Sequence, residues 1–277
     1  LISEKEIAEF IPMQQHHDCW MDDISVAVLS SGSVGNSLLI SAEDRAILID
    51  AGISCRELDR RMSSFGVEPS QVDAVLLTHE HADHMRGVKR FCGEHQVPVY
   101  ATRGTIALTP LEGVETITIA AGLPFDVGPL WVSPFKVRHL AAEPVAFSIS
   151  TDSKKIGIAS DLGCVTPNVV EQLKGSDLMF VEANYDERML LTGDYPEFLK
   201  RTIRGDHGHL SNDDAGKLSA KSSTPNTEKV ILVHLSKENN TPDKAREAVQ
   251  EHLLRSKIRA AVHPVEHGKP DGPFRLR

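Results

Sequence analysis

Residues 78–84 read THEHADH, three histidines, a glutamate and an aspartate in one short stretch. The preceding run DAVLLT (73–78) is short, apolar and β-rich, so the motif falls where a strand ends and the chain turns. His79 and His81, two residues apart, can aim their rings at one point. Asp83 and His84 fall where the next helix is expected to begin. Neutral imidazole and carboxylate suit zinc, manganese or iron, so the spacing offers two ligands to each of two neighbouring ions. The competing reading is a solvated polar loop.

The same kind of ending recurs along the chain. KVRHLAAEP, GIASDLG and ILVHLS are apolar runs that end at or near His139, Asp161 and His234, each delivering a ligand-type side chain to a loop. One histidine after a strand is ordinarily structural; three such endings beside THEHADH point to one shared site.

Around these motifs, ISVAVLS (24–30), SLLIS (37–41) and AILID (46–50) read as successive strands, and SCRELDRRMSSF (54–65) as a helix with Gly66 as its stop. WVSPFKV, VAFSIS, KIGIAS, DLMFVEA and KVILVHL read as further strands, while PNVVEQLK, SNDDAGKLSAK and TPDKAREAVQEHLL read as helices. Strands interleaved with helices predict a mixed α/β protein.

With 277 residues and 40 % apolar content, the chain can bury an ordinary core. No run approaches the roughly 20 apolar residues of a membrane span, and the start LISEKEIAEF lacks the basic and apolar regions of a signal peptide. Cys19, Cys55, Cys92 and Cys164 are scattered without a CxxC pair, which predicts reduced, mostly packed thiols and no zinc knuckle. The expectation is a cytoplasmic protein without a membrane or an obligate protein partner. A net charge of −9 argues against gripping nucleic acid over the whole surface, though not against local binding beside bound cations. Residues 1–22, with the odd run MQQHHDCW, are expected to be an added or flexible N-terminal extension, and 23–277 a single domain.

The ordered set THEHADH, His139, Asp161 and His234 resembles the metallo-β-lactamase superfamily. The strings SSGSVGNSLLI, ILIDAGIS, THEHADHMRGV, AAEPVAFSI, IGIASDLG, GDHGHLSNDDA and HLSKENNTP resemble its YycJ/WalJ-type exonuclease branch over about residues 24 to 250. The resemblance implies an α/β fold, a four-layer αββα sandwich with metals at one rim. It implies two divalent ions, His79, His81 and His139 holding the first, Asp83, His84 and His234 the second, and Asp161 bridging both. This set has no cysteine, so manganese rivals zinc. Too few residues separate Asp161 from His234 for a β-CASP insertion, and too few separate His139 from Asp161 for the tRNA-gripping arm of RNase Z.

Glu182 in MFVEAN and His209 in HGHLSN match the order of a glutamate–histidine pair in nuclease branches, where the histidine is the proton donor. With Asp83 they are the catalytic candidates, against the alternative that His209 merely precedes a serine helix cap. The reaction implied is metal-dependent phosphodiester hydrolysis by a water bridging two ions, most directly a DNA exonuclease with 5′-to-3′ polarity favoured. An RNA-directed nuclease, a thioesterase or lactonase of the same fold, and a non-catalytic scaffold are the alternatives.

Ser33 and Asn36 in SGSVGNS are candidate phosphate contacts, although a glycine-rich hairpin turn explains that run equally well. Lys237, Asn239 and Asn240 are candidate nucleic-acid contacts or, alternatively, a polar loop capping the next helix. Glu80 is expected to be a spacer or an acid behind the ligands. The resemblance departs at Leu140 and Tyr185, where the branch commonly has aspartate and histidine.

Overall fold

The first strand, β1 (Ile24–Ser30), carries apolar residues on both faces. Ile24, Val26 and Val28 enter one core while Ala27 and Leu29 enter another, and all five are buried. A strand of this kind must be covered twice, which requires a layered architecture. The computed structural model describes residues 24–276, so the expected extension over residues 1–22 and Cys19 lie outside the described residues.

Two seven-stranded sheets form among those residues. The first contains β1, β2 (Ser37–Ala42), β3 (Arg45–Ile49), β4 (Val72–Leu76), β5 (Val99–Thr102) and β6 (Thr116–Ile119). The second contains β7 (Phe125–Val127), β8 (Leu130–Lys136), β9 (Val145–Ser150), β10 (Lys155–Ala159), β11 (Leu178–Glu182), β12 (Lys229–Val233) and β13 (Ala261–Pro264). β14 (Asp271–Leu276) returns to the first sheet, antiparallel to β1, with Leu276 opposite Ile24. In each sheet an antiparallel half gives way to a parallel half, β3 to β6 in the first and β10 to β13 in the second.

The helices in chain order are α1 (Cys55–Ser64), α2 (Ala82–Met85), α3 (Val88–His95), α4 (Arg103–Leu108), α5 (Pro167–Leu173), α6 (Glu187–Thr192), α7 (Glu197–Arg204), α8 (Asn212–Ser222) and α9 (Pro242–Arg255). Their start signals are physical. The side chains of Ser54, Thr166, Ser211 and Thr241 accept hydrogen bonds from otherwise unpaired N–H groups at the starts of α1, α5, α8 and α9. Inward faces of both sheets meet in a central core through Val28, Ile47, Phe147, Ile158, Phe180 and Ile231. The outer face of the first sheet packs on α1 and α3 through Leu58, Met62 and Phe91, and that of the second on α5, α8 and α9 through Leu173, Leu218 and Val249. These three cores make the expected αββα sandwich.

The expected strands and helices lie within about two residues of the observed ones. β5, β6, β7, β13, β14, α3, α4, α6 and α7 were not expected. They are short or lie at edges, and β14 contains Pro273 and is held by a partner from the other end of the described chain. Cys55 and Cys92 are buried free thiols as expected, whereas Cys164 is partly exposed. No helix among the described residues is long and apolar enough to cross a membrane.

Parallel strands align their carboxyl ends, and the loops beyond such ends are where α/β sheets place ligands. Asp50 follows β3, Thr78 and His79 follow β4, Asp161 follows β10, Glu182 ends β11 and His234 follows β12. One rim thus collects side chains from both sheets. Because Phe147 is fully buried between the sheets, Phe147→Ala is expected to lower unfolding free energy by about 3–5 kcal/mol in urea titrations. A loss below about 1 kcal/mol would contradict the packed central core.

Candidate metal centre

Asp50, Asp161 and His234 leave their strands with φ of 60°, 55° and 56°. A non-glycine residue in this left-handed region costs about 1–3 kcal/mol and persists only where its surroundings hold it. They are held. Asp50 Oδ1 accepts from Thr78 N at 2.8 Å, the His234 N–H donates to Ser31 Oγ at 2.7 Å, and Asp161 Oδ2 accepts from Ser160 Oγ. The THEHADH loop is seated by Gly52, where a Cβ would lie 1.7 Å from Asp83 O and 2.6 Å from Asn36 N. Only glycine permits that approach.

Each of the five rim histidines in the expected ligand set has one ring nitrogen fixed from outside. His79 Nδ1 meets Thr78 Oγ1 at 2.9 Å, His81 Nε2 meets Leu140 O at 3.0 Å and His84 Nδ1 meets Asp50 Oδ2 at 2.7 Å. His139 Nδ1 meets Gly208 O and His234 Nδ1 meets Glu182 Oε1, both at 3.0 Å. Their other nitrogens face the common centre. Nε2 of His79 and Nε2 of His234 are buried with no hydrogen-bond partner. An orphaned buried imidazole nitrogen is unfavourable unless something else accepts its lone pair, and an outer acceptor paired with an inner free nitrogen is how metal-binding histidines are oriented.

The donor atoms of His79, His81 and His139 lie within 4.8 Å of one another, as do those of Asp83, His84 and His234. Asp161 forms a third such group with His79 and His84, so it stands between the other two. These residues fit divalent ions by donor chemistry as well as by spacing, since all donors are nitrogen or oxygen.

Charge follows the same arrangement. Burial and the neighbouring His84 hold His79 well below the ordinary imidazole value, and burial also lowers His139, leaving both neutral with lone pairs free. Burial opposes charge on His84 too, but the Asp161 and Asp50 carboxylates outweigh it and push its pKa up to about 10. His234 is raised well above the usual value, its burial overcome by Asp161, Asp83 and Glu182. Asp161 is held well below the carboxylate range, because His234 and His84 overcome its burial. A cation taken up here must displace the protons of His84 and His234.

Beside this cluster, the His209 ring lies 2.7 Å from Glu182 through Nδ1. Glu182 is fully buried, and its other oxygen accepts from the N–H groups of Leu162 and Leu210 at 2.7 and 3.3 Å. Burial opposes charge on His209, but Glu182 outweighs it and leaves the ring above its ordinary value. Ser211 caps α8, as the alternative reading of this segment expects, and the same segment sets His209 against Glu182. His209, Asp83, Asp161 and Ser33 border a cleft of about 350 Å³, walled opposite by Tyr195, Leu199, Ile203 and Leu140.

Several expectations need correction. Asn36 is buried, its Oδ1 accepting from Gly32 N and its Nδ2 donating to Asp83 Oδ2 at 3.1 Å, so it braces Asp83 instead of facing phosphate. Asn239 and Asn240 are also buried; Asn240 bonds Asn212 and the carbonyls of Ala183 and Asn184, which shapes the loop from within. Ser33 and Lys237 are exposed. Glu80, as an acid behind the ligands, accepts from Ala142 N at 2.8 Å and ties the THEHADH loop to the His139 loop. Leu140 is 67 % exposed at the cleft, which makes that wall apolar, whereas Tyr185 is buried.

Sequence reading missed Asp50, Ser31 and Asn184, whose Nδ2 donates to His234 O at 2.9 Å. Asp50 had a signal. AILID ends in an acid just as GIASD does.

A model of the beta-lactamase superfamily domain matches residues 45–235. The chain is 32 % identical over 234 residues to exodeoxyribonuclease YycJ of Bacillus anthracis, covering 82 % of this chain and 88 % of that protein. It is 29 % identical over 243 residues to exodeoxyribonuclease WalJ of Streptococcus pneumoniae serotype 2, covering 85 % and 90 %. Among solved structures, the metallo-β-lactamase fold protein YhfI of Bacillus subtilis superposes with a TM-score of 0.72 at 18 % identity, covering 92 % of this chain and all of that one.

Asn tolerates the left-handed backbone of residue 50 as Asp does, so Asp50→Asn removes charge without forcing the turn. Metal affinity in chelator competition is expected to fall about 10–100-fold in a folded protein. In the unsubstituted protein, apparent affinity should rise with pH through the neutral range, because the proton on His84 competes up to about pH 10. A flat profile would contradict that competition.

Proposed function

The chain belongs to the beta-lactamase superfamily domain family, in its YycJ/WalJ branch, and from that premise we propose that it is a metal-dependent exonuclease acting on DNA. His79, His81 and His139 would hold one divalent ion and Asp83, His84 and His234 a second, with Asp161 close to both groups; the donor set admits manganese as well as zinc. The observation that carries the reading is the His209–Glu182 pair at the edge of this cluster. A leaving thiolate, with a pKa of about 8.5, departs without help. A sugar alkoxide, much closer to water at about 15.7, needs a proton. A positioned imidazolium beside the metal ligands therefore favours phosphodiester over thioester cleavage. The exodeoxyribonuclease names of the two relatives support DNA as the substrate.

Bound at these residues, the two ions supply Lewis-acid polarisation of the phosphate and water acidified towards neutrality. The protein's own groups do the rest. Asp50 fixes the His84 ring and Asn36 the Asp83 carboxylate, so the donors are oriented before substrate arrives. Glu182 keeps His209 charged, and His209 passes its proton to the departing sugar oxygen. Ser33 and Lys237, exposed near the metal rim, meet the phosphate backbone. Tyr195, Leu199 and Ile203 offer an apolar surface against which a base can lie and from which water is excluded.

Metal-free protein reconstituted with manganese or zinc is expected to shorten end-labelled DNA, with the label position reading polarity and 5′-to-3′ expected. Single- and double-stranded DNA, RNA and a generic thioester run in parallel; thioester cleavage without nucleic-acid degradation would overturn the proposal. His209→Asn should lower kcat by about 10²–10⁴-fold with metal content unchanged. Glu182→Gln removes the charge that raises His209. The basic limb of its kcat/KM–pH profile should therefore shift to lower pH, since activity is lost once His209 deprotonates.

A further inference from the structure

α1 and α3 lie together on the outer face of the first sheet, joined through Leu58, Met62, Phe91 and Cys92. Where α1 begins and α3 ends, donors from both helices converge. Cys55 and Asp59 stand one turn apart on α1, and Glu94 and His95 end α3. Cys55 Sγ lies 3.2 Å from Glu94 Oε2 and 3.8 Å from Asp59 Oδ2, while His95 Nε2 lies 3.0 Å from Asp59 Oδ1. The donor atoms of Cys55, Asp59 and His95 are all within 4.8 Å of one another. None of the four residues belongs to the rim cluster.

We propose that Cys55, Asp59 and His95 form a second, separate metal site, a zinc site that clips α1 to α3, with Glu94 bonded to the sulfur beside it. Ions bound at about 2.3 Å to sulfur and about 2.0–2.1 Å to nitrogen or oxygen hold tetrahedral donors about 3.3–3.6 Å apart. The His95–Asp59 and Cys55–Asp59 separations of 3.0 and 3.8 Å bracket that range. Arg90 Nε binds Glu94 Oε1 at 2.7 Å, which leaves Oε2 turned to the sulfur. Burial, the Glu94 bond and the Asp59 charge push the Cys55 thiol up to about 12, a concentration of negative potential that a divalent cation relieves. On binding, the sulfur–metal bond forms as the thiol proton leaves to solvent.

None of these ligands lines the rim cleft, so the role is structural. The clip also sits behind the rim. α1 follows Gly52, which packs against Asp83, and α3 is entered through Gly87, whose N–H donates to Ala51 O at 2.7 Å. Joining the two helices steadies both segments that seat the THEHADH loop.

Cobalt(II) titration of the metal-stripped full chain tests this independently of the proposed reaction. The rim donors include no sulfur, so near-ultraviolet thiolate-to-cobalt charge-transfer absorption reports the clip alone. The band is expected to appear, to saturate at one thiolate-bound equivalent, to vanish in Cys55→Ser and to survive in Cys164→Ser. His95→Gln keeps the thiol and should weaken cobalt binding at this band about tenfold or more. A folded protein with no band at saturating cobalt, or a band that survives Cys55→Ser, overturns the site. Should Cys55→Ser fail to fold, an unchanged titration in His95→Gln overturns it.

Discussion

Buried negative charge organises the rim. Asp50, Asp161 and Glu182 are almost wholly withdrawn from water, and a carboxylate so placed is tolerable only when paired and hydrogen-bonded. The pairing is done by imidazoles. His84 lies between Asp50 and Asp161, and His234 between Glu182 and Asp83. Each ring is fixed through one nitrogen by a group behind it and presents the other to the centre. The requirement that stabilises the acids is thus the one that orients the donors.

That arrangement depends on both sheets. His79, His81, Asp83 and His84 come from the loop beyond β4, while His139, Asp161 and His234 come from loops beyond β8, β10 and β12. Neither layer holds a complete set, so the central core between the sheets fixes the distance between the two donor groups. Strain enters at the same places, in the left-handed turns at Asp50, Asp161 and His234. Bonds donated by Thr78 and Ser160 and one accepted by Ser31 from the His234 N–H hold those turns.

The cleft beside the rim divides its chemistry between two walls. Acids, imidazoles and Ser33 form one, and the opposite one, from α7 and its approach, is apolar. Leu140 adds to the apolar wall. A net charge of −9 does not describe this local field, because two divalent ions would reverse its sign at the point of contact.

The sequence by itself carried the mixed α/β pattern and the candidate donors at strand ends, and its family resemblance carried the sandwich. Alternating apolar runs reported the strands, capping residues reported the longer helices, and histidines and acids at strand ends reported the rim, because each is a local pattern of period or position. Tertiary structure decided what those patterns could not contain. Asn36, Asn239 and Asn240 look like surface polar residues in the text and are buried in the fold, Asn36 and Asn240 as braces, since burial depends on which loops close over them. Asp50 became part of the site only when β3 lay beside β4 and brought it to His84. β14 exists as a strand only because β1 is there to pair with it. Which nitrogen is free is likewise set for His81, His84, His139 and His234 by partners far along the chain, from Asp50 to Gly208, whereas His79 is fixed by its neighbour Thr78.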